Sequence, residues 1–187
     1  MTVNAGQIAP DFRGKTYTGD PIDLSQMRGT KVWLAFHRWA HCPLCNLRIK
    51  EVIDRYAEIE KKGIRLVAVF QSTPERIADG VGRQKPPFPI VSDPELSLYD
   101  AYGVRPSVAG MFYLRVFGRA IRAMREGFFS LKMEGPKAMI PADFLVDPEG
   151  VVWKAYYGSA VSDHIPFEDI DAFGEDLCLD MPEQIRA

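Results

Sequence analysis

The chain has 187 residues, enough for one domain with a core of ordinary size, and 47% hydrophobic against 26% charged residues is the balance of a folded globular protein. A net charge of −2 argues against nucleic acid or an anionic membrane as the main partner. No apolar run reaches the roughly 20 residues of a membrane span. The N-terminus lacks a basic-then-apolar leader, and three cysteines are too few for a disulfide-stapled secreted scaffold, so the expected setting is the cytoplasm.

Along the chain, Ile8 to Phe12 and Pro21 to Leu24 read as an extended N-terminal segment or hairpin. Lys31 to Phe36 is a continuous apolar run, the pattern of a strand buried on both faces. From Pro43 to Lys62, Leu44, Leu47, Val52, Tyr56 and Ile59 recur at helical spacing, with Pro43 suited to the first turn and Gly63 to the C-cap. Ile64 to Phe70 is a second buried strand, and Thr73-Pro74 opens a short helix. Phe88 to Val91 reads as a short strand, and Asp93-Pro94 as the start of a helix running to Tyr102. Ala142 to Val146 and Val151 to Tyr157 form a hairpin around Asp147-Pro148-Glu149-Gly150, and Phe167 to Leu177 a closing helix. Strands alternating with helices predict a three-layer α/β fold.

Two regions are unlike the rest. Pro106 to Lys137 has no strand-like run and carries four Arg and two Lys against two Glu. Phe112, Val116, Phe117, Ala120, Ile121 and Met124 fall on one side of a helix there. Asp163 to Ala187 holds eight carboxylates against Arg186. These read either as solvated faces that offset each other, or as a helical insertion that forms a dimer contact or roofs the active site.

The chemistry concentrates in Cys42-Pro43-Leu44-Cys45, between a strand and a helix. Two thiols at this spacing can close a reversible disulfide, and unpaired N–H groups at the helix start stabilise a thiolate. A zinc site completed by His37 and His41 is the competing reading, but no second Cys-x-x-Cys is present. Arg38 and His41 either lower a thiol pKa by their charge or point to solvent. Trp39 reads as a cover over the thiols and a surface aromatic for partner docking rather than a residue of the chemistry. Cys178 reads as a small apolar residue or, less simply, as a resolving thiol. Asp163-His164 is either a hydrogen-bonded loop element or a functional one near the thiols.

Phe36-His37-Arg38-Trp39-Ala40-His41-Cys42-Pro43-Leu44-Cys45-Asn46 resembles the peroxiredoxin-like, AhpC/TSA-type branch of the thioredoxin superfamily. Ala9-Pro10-Asp11-Phe12, Ser92-Asp93-Pro94 with Tyr102-Gly103-Val104, and Phe144 to Gly150 followed by Tyr157-Gly158 are similar to that branch's other blocks, in the same order. The resemblance implies one thioredoxin-like domain over residues 1–187, a central mixed sheet with helices on both faces, an N-terminal extension, and a helical insertion at about 106–137. It implies a thiol peroxidase acting on hydroperoxides, or a disulfide reductase, with no metal or organic cofactor. An external thiol reductant such as a thioredoxin or glutathione system would regenerate it, and homodimer formation is left open. A non-enzymatic redox-sensing module is the remaining alternative.

The resemblance leaves open which thiol attacks. Aligned with thioredoxins, Cys42 attacks and Cys45 resolves. Aligned with peroxiredoxins, Cys45 takes the peroxidatic position, Cys42 the Thr/Ser position and Arg38 the Pro position, so in the peroxidase reading Cys45 attacks the peroxide and Cys42 condenses with its sulfenic acid. Both alignments lead to a Cys42–Cys45 disulfide. Phe36 stands where thioredoxins keep a buried Asp, and no carboxylate in Lys31 to Phe36 replaces it. The approach to the late strand, Ala138 to Pro141, lacks the Arg that peroxiredoxins place there. Ile140-Pro141 matches the cis-proline loop facing the thiols in thioredoxin folds.

Overall fold

The N-terminal segment forms an antiparallel hairpin of β1 (Arg13–Lys15) and β2 (Pro21–Asp23) that pairs through Thr16 with Val91. The main sheet is built around β3 (Lys31–Phe36), which is buried along its whole length. The computed structural model describes residues 2–107, 114–130, 132, 135–136 and 138–176. Cys178 and Phe112 lie outside the described residues, so the roles weighed for Cys178 concern a part of the chain beyond this description.

Helix α1 (Pro43–Lys61) carries the chain from β3 back to β4 (Ile64–Phe70), which pairs parallel to β3. Gly63, at φ 75°, makes the left-handed turn that ends the helix. After α2 (Pro74–Asp79), β5 (Ile90–Ser92) adds parallel to β4. It starts later than the sequence pattern suggests, because Pro87 and Pro89 lack the N–H a ladder needs. Helix α3 (Ser97–Ala101) also starts late. The Asp93 carboxylate accepts from the N–H groups of Ser97, at 3.1 Å, and Leu98, at 2.8 Å, while Leu96 sits at φ 60°, outside helical space.

Helix α4 (Leu114–Arg125) lies within the predicted insertion and packs on α1, with Ala123 buried and Ala120 against the core. Strands β6 (Ala142–Val146) and β7 (Val152–Tyr157) then extend the sheet antiparallel on the far side of β3, giving the order β5-β4-β3-β6-β7. Helix α5 (Phe167–Glu175) follows, and the ammonium of Lys31 donates to the carbonyls of Gly174 (3.1 Å) and Asp176 (3.2 Å), a cation at the helix's negative end.

The mixed sheet splits the core in two because successive strand side chains point to opposite faces. Trp33 and Ala35 pack with Ile49, Val52, Ile170 and Phe173 under α1 and α5. Val32, Leu34 and Phe36 pack with Tyr99, Tyr102 and Phe144 on the other face. The two charged regions do not offset each other among the described residues. Arg119 and Arg122 of α4 pair with Glu51 of α1, whereas Asp171 and Glu175 pair with Arg55 and Lys62. No described helix is long and apolar enough to cross a membrane.

Candidate active site

Where β3 ends, residues 37–42 form a loop held by the neighbouring backbone. The Ala40 N–H donates to Ser72 Oγ at 2.9 Å, and its carbonyl accepts from the Val81 N–H at 3.1 Å and the Asn46 side chain at 2.8 Å. Gly80 comes so close that a Cβ there would lie 2.7 Å from the Ala40 oxygen. This anchoring sets the angle at which α1 starts.

Cys42 is the N-cap of α1, and its Sγ accepts the N–H of Cys45 at 3.4 Å. The Arg38 guanidinium lies 3.7 Å from the same sulfur. Burial by itself pushes the Cys42 thiol up. The Cys45 thiol hydrogen bond, the charge of Arg38 and the backbone N–H groups of Cys45 and Leu44 outweigh it and bring the pKa from 9.0 to about 7. Cys45 moves the opposite way: burial, its hydrogen bond to Cys42 and the charge on Cys42 hold it well above the usual range. The two cysteines are not bridged to each other and lie beneath the surface, at 1% and 2% exposure.

Three neighbouring expectations resolve. Arg38 is buried beside the sulfur rather than turned to solvent. Trp39 is buried too, with the Arg38 guanidinium 4.2 Å from its ring centre, so it is a packing element and not a surface docking aromatic. His41 is engaged by α2, its Nε2 lying 3.2 Å from Asp79 Oδ2. Pro141 leads into β6, but the Ile140–Pro141 bond is trans, since no described bond is cis. The expectation of a cis bond is overturned. The Pro141 carbonyl accepts the Gly158 N–H at 3.0 Å and so continues the β6–β7 pairing, and trans is the intrinsically favoured isomer.

The buried carboxylate that β3 lacks is supplied by the adjacent strand. Asp143 on β6 stands opposite Ala35 and is fully buried. It accepts from Trp33 Nε1 (2.9 Å), the Ile165 N–H (3.0 Å) and His164 Nδ1 (3.0 Å). Burial pushes its carboxyl up, yet His164, Arg48 and the Ile165 N–H prevail and keep it ionised. Burial holds His164 low, so it is a neutral imidazole donating from Nδ1. Its ring centre lies 4.6 Å from that of His37, which is stacked on Phe70 and held far below its usual range by burial. Of the Asp163-His164 pair, Asp163 only closes the local loop, through Ser159 and Tyr156. Sequence reasoning missed Asp143; the one signal was a charged residue inside an otherwise apolar strand.

Gly127 to Ser130 and Lys132 border the thiol loop. Asp79 holds Lys132 at 2.9 Å together with His41 and Arg83, and its carboxyl is lowered to about 2, chiefly by Lys132. A cavity of about 200 Å³ lies between His41, Asn46 and Gln84 on one side and Gly127 to Ser130 on the other.

A thiol pair at a helix start, beside a five-stranded mixed sheet covered by helices, defines a thioredoxin-like thiol oxidoreductase. The chain belongs to the AhpC/TSA family, whose sequence profile matches residues 5–155. It is 23% identical over 163 residues to a putative peroxiredoxin of Mycobacterium tuberculosis, covering 86% of this chain and 88% of that protein. It is 35% identical over 107 residues to the thiol-disulfide oxidoreductase ResA of Halalkalibacterium halodurans, a match spanning 54% of this chain and 58% of that relative. The crystal structure of peroxidoxin BcpB from Mycobacterium tuberculosis superposes with a TM-score of 0.68 at 17% identity, over 92% of this chain and 96% of that one.

Proposed function

We propose that this protein is a cytoplasmic thiol peroxidase in which Cys42 attacks and Cys45 resolves. The observation that carries this order is the placement of the Cys42 sulfur at the N-cap of α1, accepting the Cys45 N–H with Arg38 beside it. The thiolate needed for attack therefore forms on Cys42 near pH 7, while Cys45 keeps its proton. Family membership and the peroxiredoxin similarity over most of the chain favour a hydroperoxide as the oxidant.

The Cys42 thiolate attacks the terminal peroxide oxygen, the O–O bond breaks, and the alkoxide or hydroxide leaves with a proton from solvent. Cys42 becomes a sulfenic acid. The Cys45 thiol attacks that sulfur, water departs, and a Cys42–Cys45 disulfide remains. Two equivalents of an external thiol, from a thioredoxin or glutathione system, return both residues to thiols. The positive charge of Arg38 stabilises the thiolate and stands in for the cation that Ala138 to Pro141 does not supply. Residues 106–137 are read as an insertion, supported by the described residues Gly127 to Ser130 and Lys132 beside the thiol loop.

One equivalent of peroxide followed by a sulfenic-acid trap and peptide mass spectrometry tests the order. Cys45→Ser should accumulate trapped Cys42, and Cys42→Ser should leave peroxide unconsumed. A first oxidation on Cys45 would reverse the assignment. The similarity to a thiol-disulfide oxidoreductase favours disulfide exchange by the same Cys42 thiolate as a second reading. Insulin reduction without peroxide turnover would select it.

A further inference from the structure

On the α4 side of α1, four arginines converge on one cleft. Arg48 and Arg55 are on α1, two turns apart on the same face, and Arg119 and Arg122 come from α4. The N-terminal end of α5 closes the cleft with Pro166 and Phe167, leaving a cavity of about 510 Å³, within the usual range for small-molecule sites. The Phe167 ring holds two of the charges: the guanidinium carbons of Arg48 and Arg55 lie 4.2 and 4.3 Å from its centre. Like charges are thus gathered by the fold, at an electrostatic cost.

Three carboxylates share the lining with the four arginines, and the buried Asp143 offsets Arg48 from behind. Glu51 alone serves both Arg119, at 2.8 Å, and Arg122, at 3.0 Å. Asp54 is engaged by Lys50, Arg55 is held by Asp171, and Glu168 is the third carboxylate of the lining. Arg48 is only 5% exposed and donates to the Ile165 carbonyl at 2.8 Å. Its Nε, like that of Arg119, is buried without an acceptor among the described residues. Both Nε atoms are closed to solvent, so an oxyanion in the cleft would be met by the other guanidinium N–H groups, through charge-assisted bonds. His164 lines the same cleft as a neutral imidazole and adds no competing charge of either sign.

We propose that this cleft is a binding site for a small organic oxyanion, a carboxylate or a phosphate, held by Arg48, Arg119 and Arg122. Glu51 is the internal anion that the ligand competes with for the two α4 arginines. The proposal does not depend on which thiol attacks or on the identity of the oxidant.

Calorimetric titration of the reduced full chain with succinate and with inorganic phosphate, each against sodium chloride at matched ionic strength, tests it. Saturable binding near one equivalent is expected for at least one probe, and the tighter of the two assigns the head group. Arg122→Gln, whose side chain is 59% exposed and expendable for folding, should weaken binding about ten-fold, the loss of one charge-assisted bond. Glu51→Gln should tighten it by a similar factor, because Arg119 and Arg122 are released. A merely structural Glu51 would instead loosen α4 and weaken or abolish binding. Heats equal to the chloride control, or constants unmoved or moved the other way by the two variants, would overturn the proposal.

Discussion

Arg38→Met isolates the charge that sets the reactivity of Cys42. Methionine keeps an apolar stem beside Trp39 and removes only the guanidinium. At the observed 3.7 Å, two unit charges in an effective dielectric of about 20 interact by about 4 kcal/mol, equivalent to about 3 pK units. That is an upper limit, because the Cys45 thiol and two backbone N–H groups also hold the sulfur low and remain in the variant. We therefore expect the Cys42 pKa to rise from about 7 by one to two units. At pH 7 the thiolate fraction should fall from about half to about a tenth or less. Absorbance of the thiolate near 240 nm, with alkylation mapped to Cys42 by mass spectrometry, reads the midpoint, and near-ultraviolet circular dichroism checks the fold. A midpoint within about 0.3 units of the parent would refute the electrostatic account and leave the Cys45 thiol and the N–H groups of the helix start as the causes.

Asp143→Asn should destabilise the protein by about 3–5 kcal/mol in chemical denaturation at pH 7, because a buried, fully hydrogen-bonded anion is lost beside Arg48. Since the folded carboxyl titrates below its unfolded value, its contribution is present above the ordinary carboxylate range and disappears as pH falls through the lowered value. The variant's stability should then change less than the parent's over that acid range. Gly80→Ala forces a methyl to 2.7 Å from the Ala40 oxygen and should cost about 1–3 kcal/mol, with a displaced Cys42 midpoint; unchanged values of both would show that the thiol loop has slack. Asp79→Asn releases Lys132 and His41 together, so tryptic cleavage after Arg125 and Lys132 should accelerate while the global melting temperature hardly moves.

Predominantly apolar runs made β3, β4 and, despite Asp143, β6 legible with correct bounds, since a strand buried on both faces needs no partner to betray it. Helix α1 was equally plain from its periodicity and from Pro43 and Gly63 at its ends. The later start of α3 was not, because the Asp93 side chain captures the N–H groups that would otherwise have begun a helix sooner. Of the site, the thiol pair announced itself by spacing and position. Arg38 and Trp39 were ambiguous: an Arg beside a Trp reads as a solvated surface pair, and only the tertiary packing turns both inward. The Asp143–His164 pair was hidden for a different reason. It exists through the β3–β6 register and a loop after β7, contacts that leave no local periodicity.

The near-complete enclosure of both sulfurs has a kinetic meaning. At 1% exposure, Cys42 is expected to meet a reagent only when the protein opens, so at high reagent concentration the observed rate should reach a ceiling that belongs to the fold and not to the reagent. Compact oxidants need a smaller opening than a folded protein donor does, and the same gate therefore ranks visitors by bulk before any bond is made.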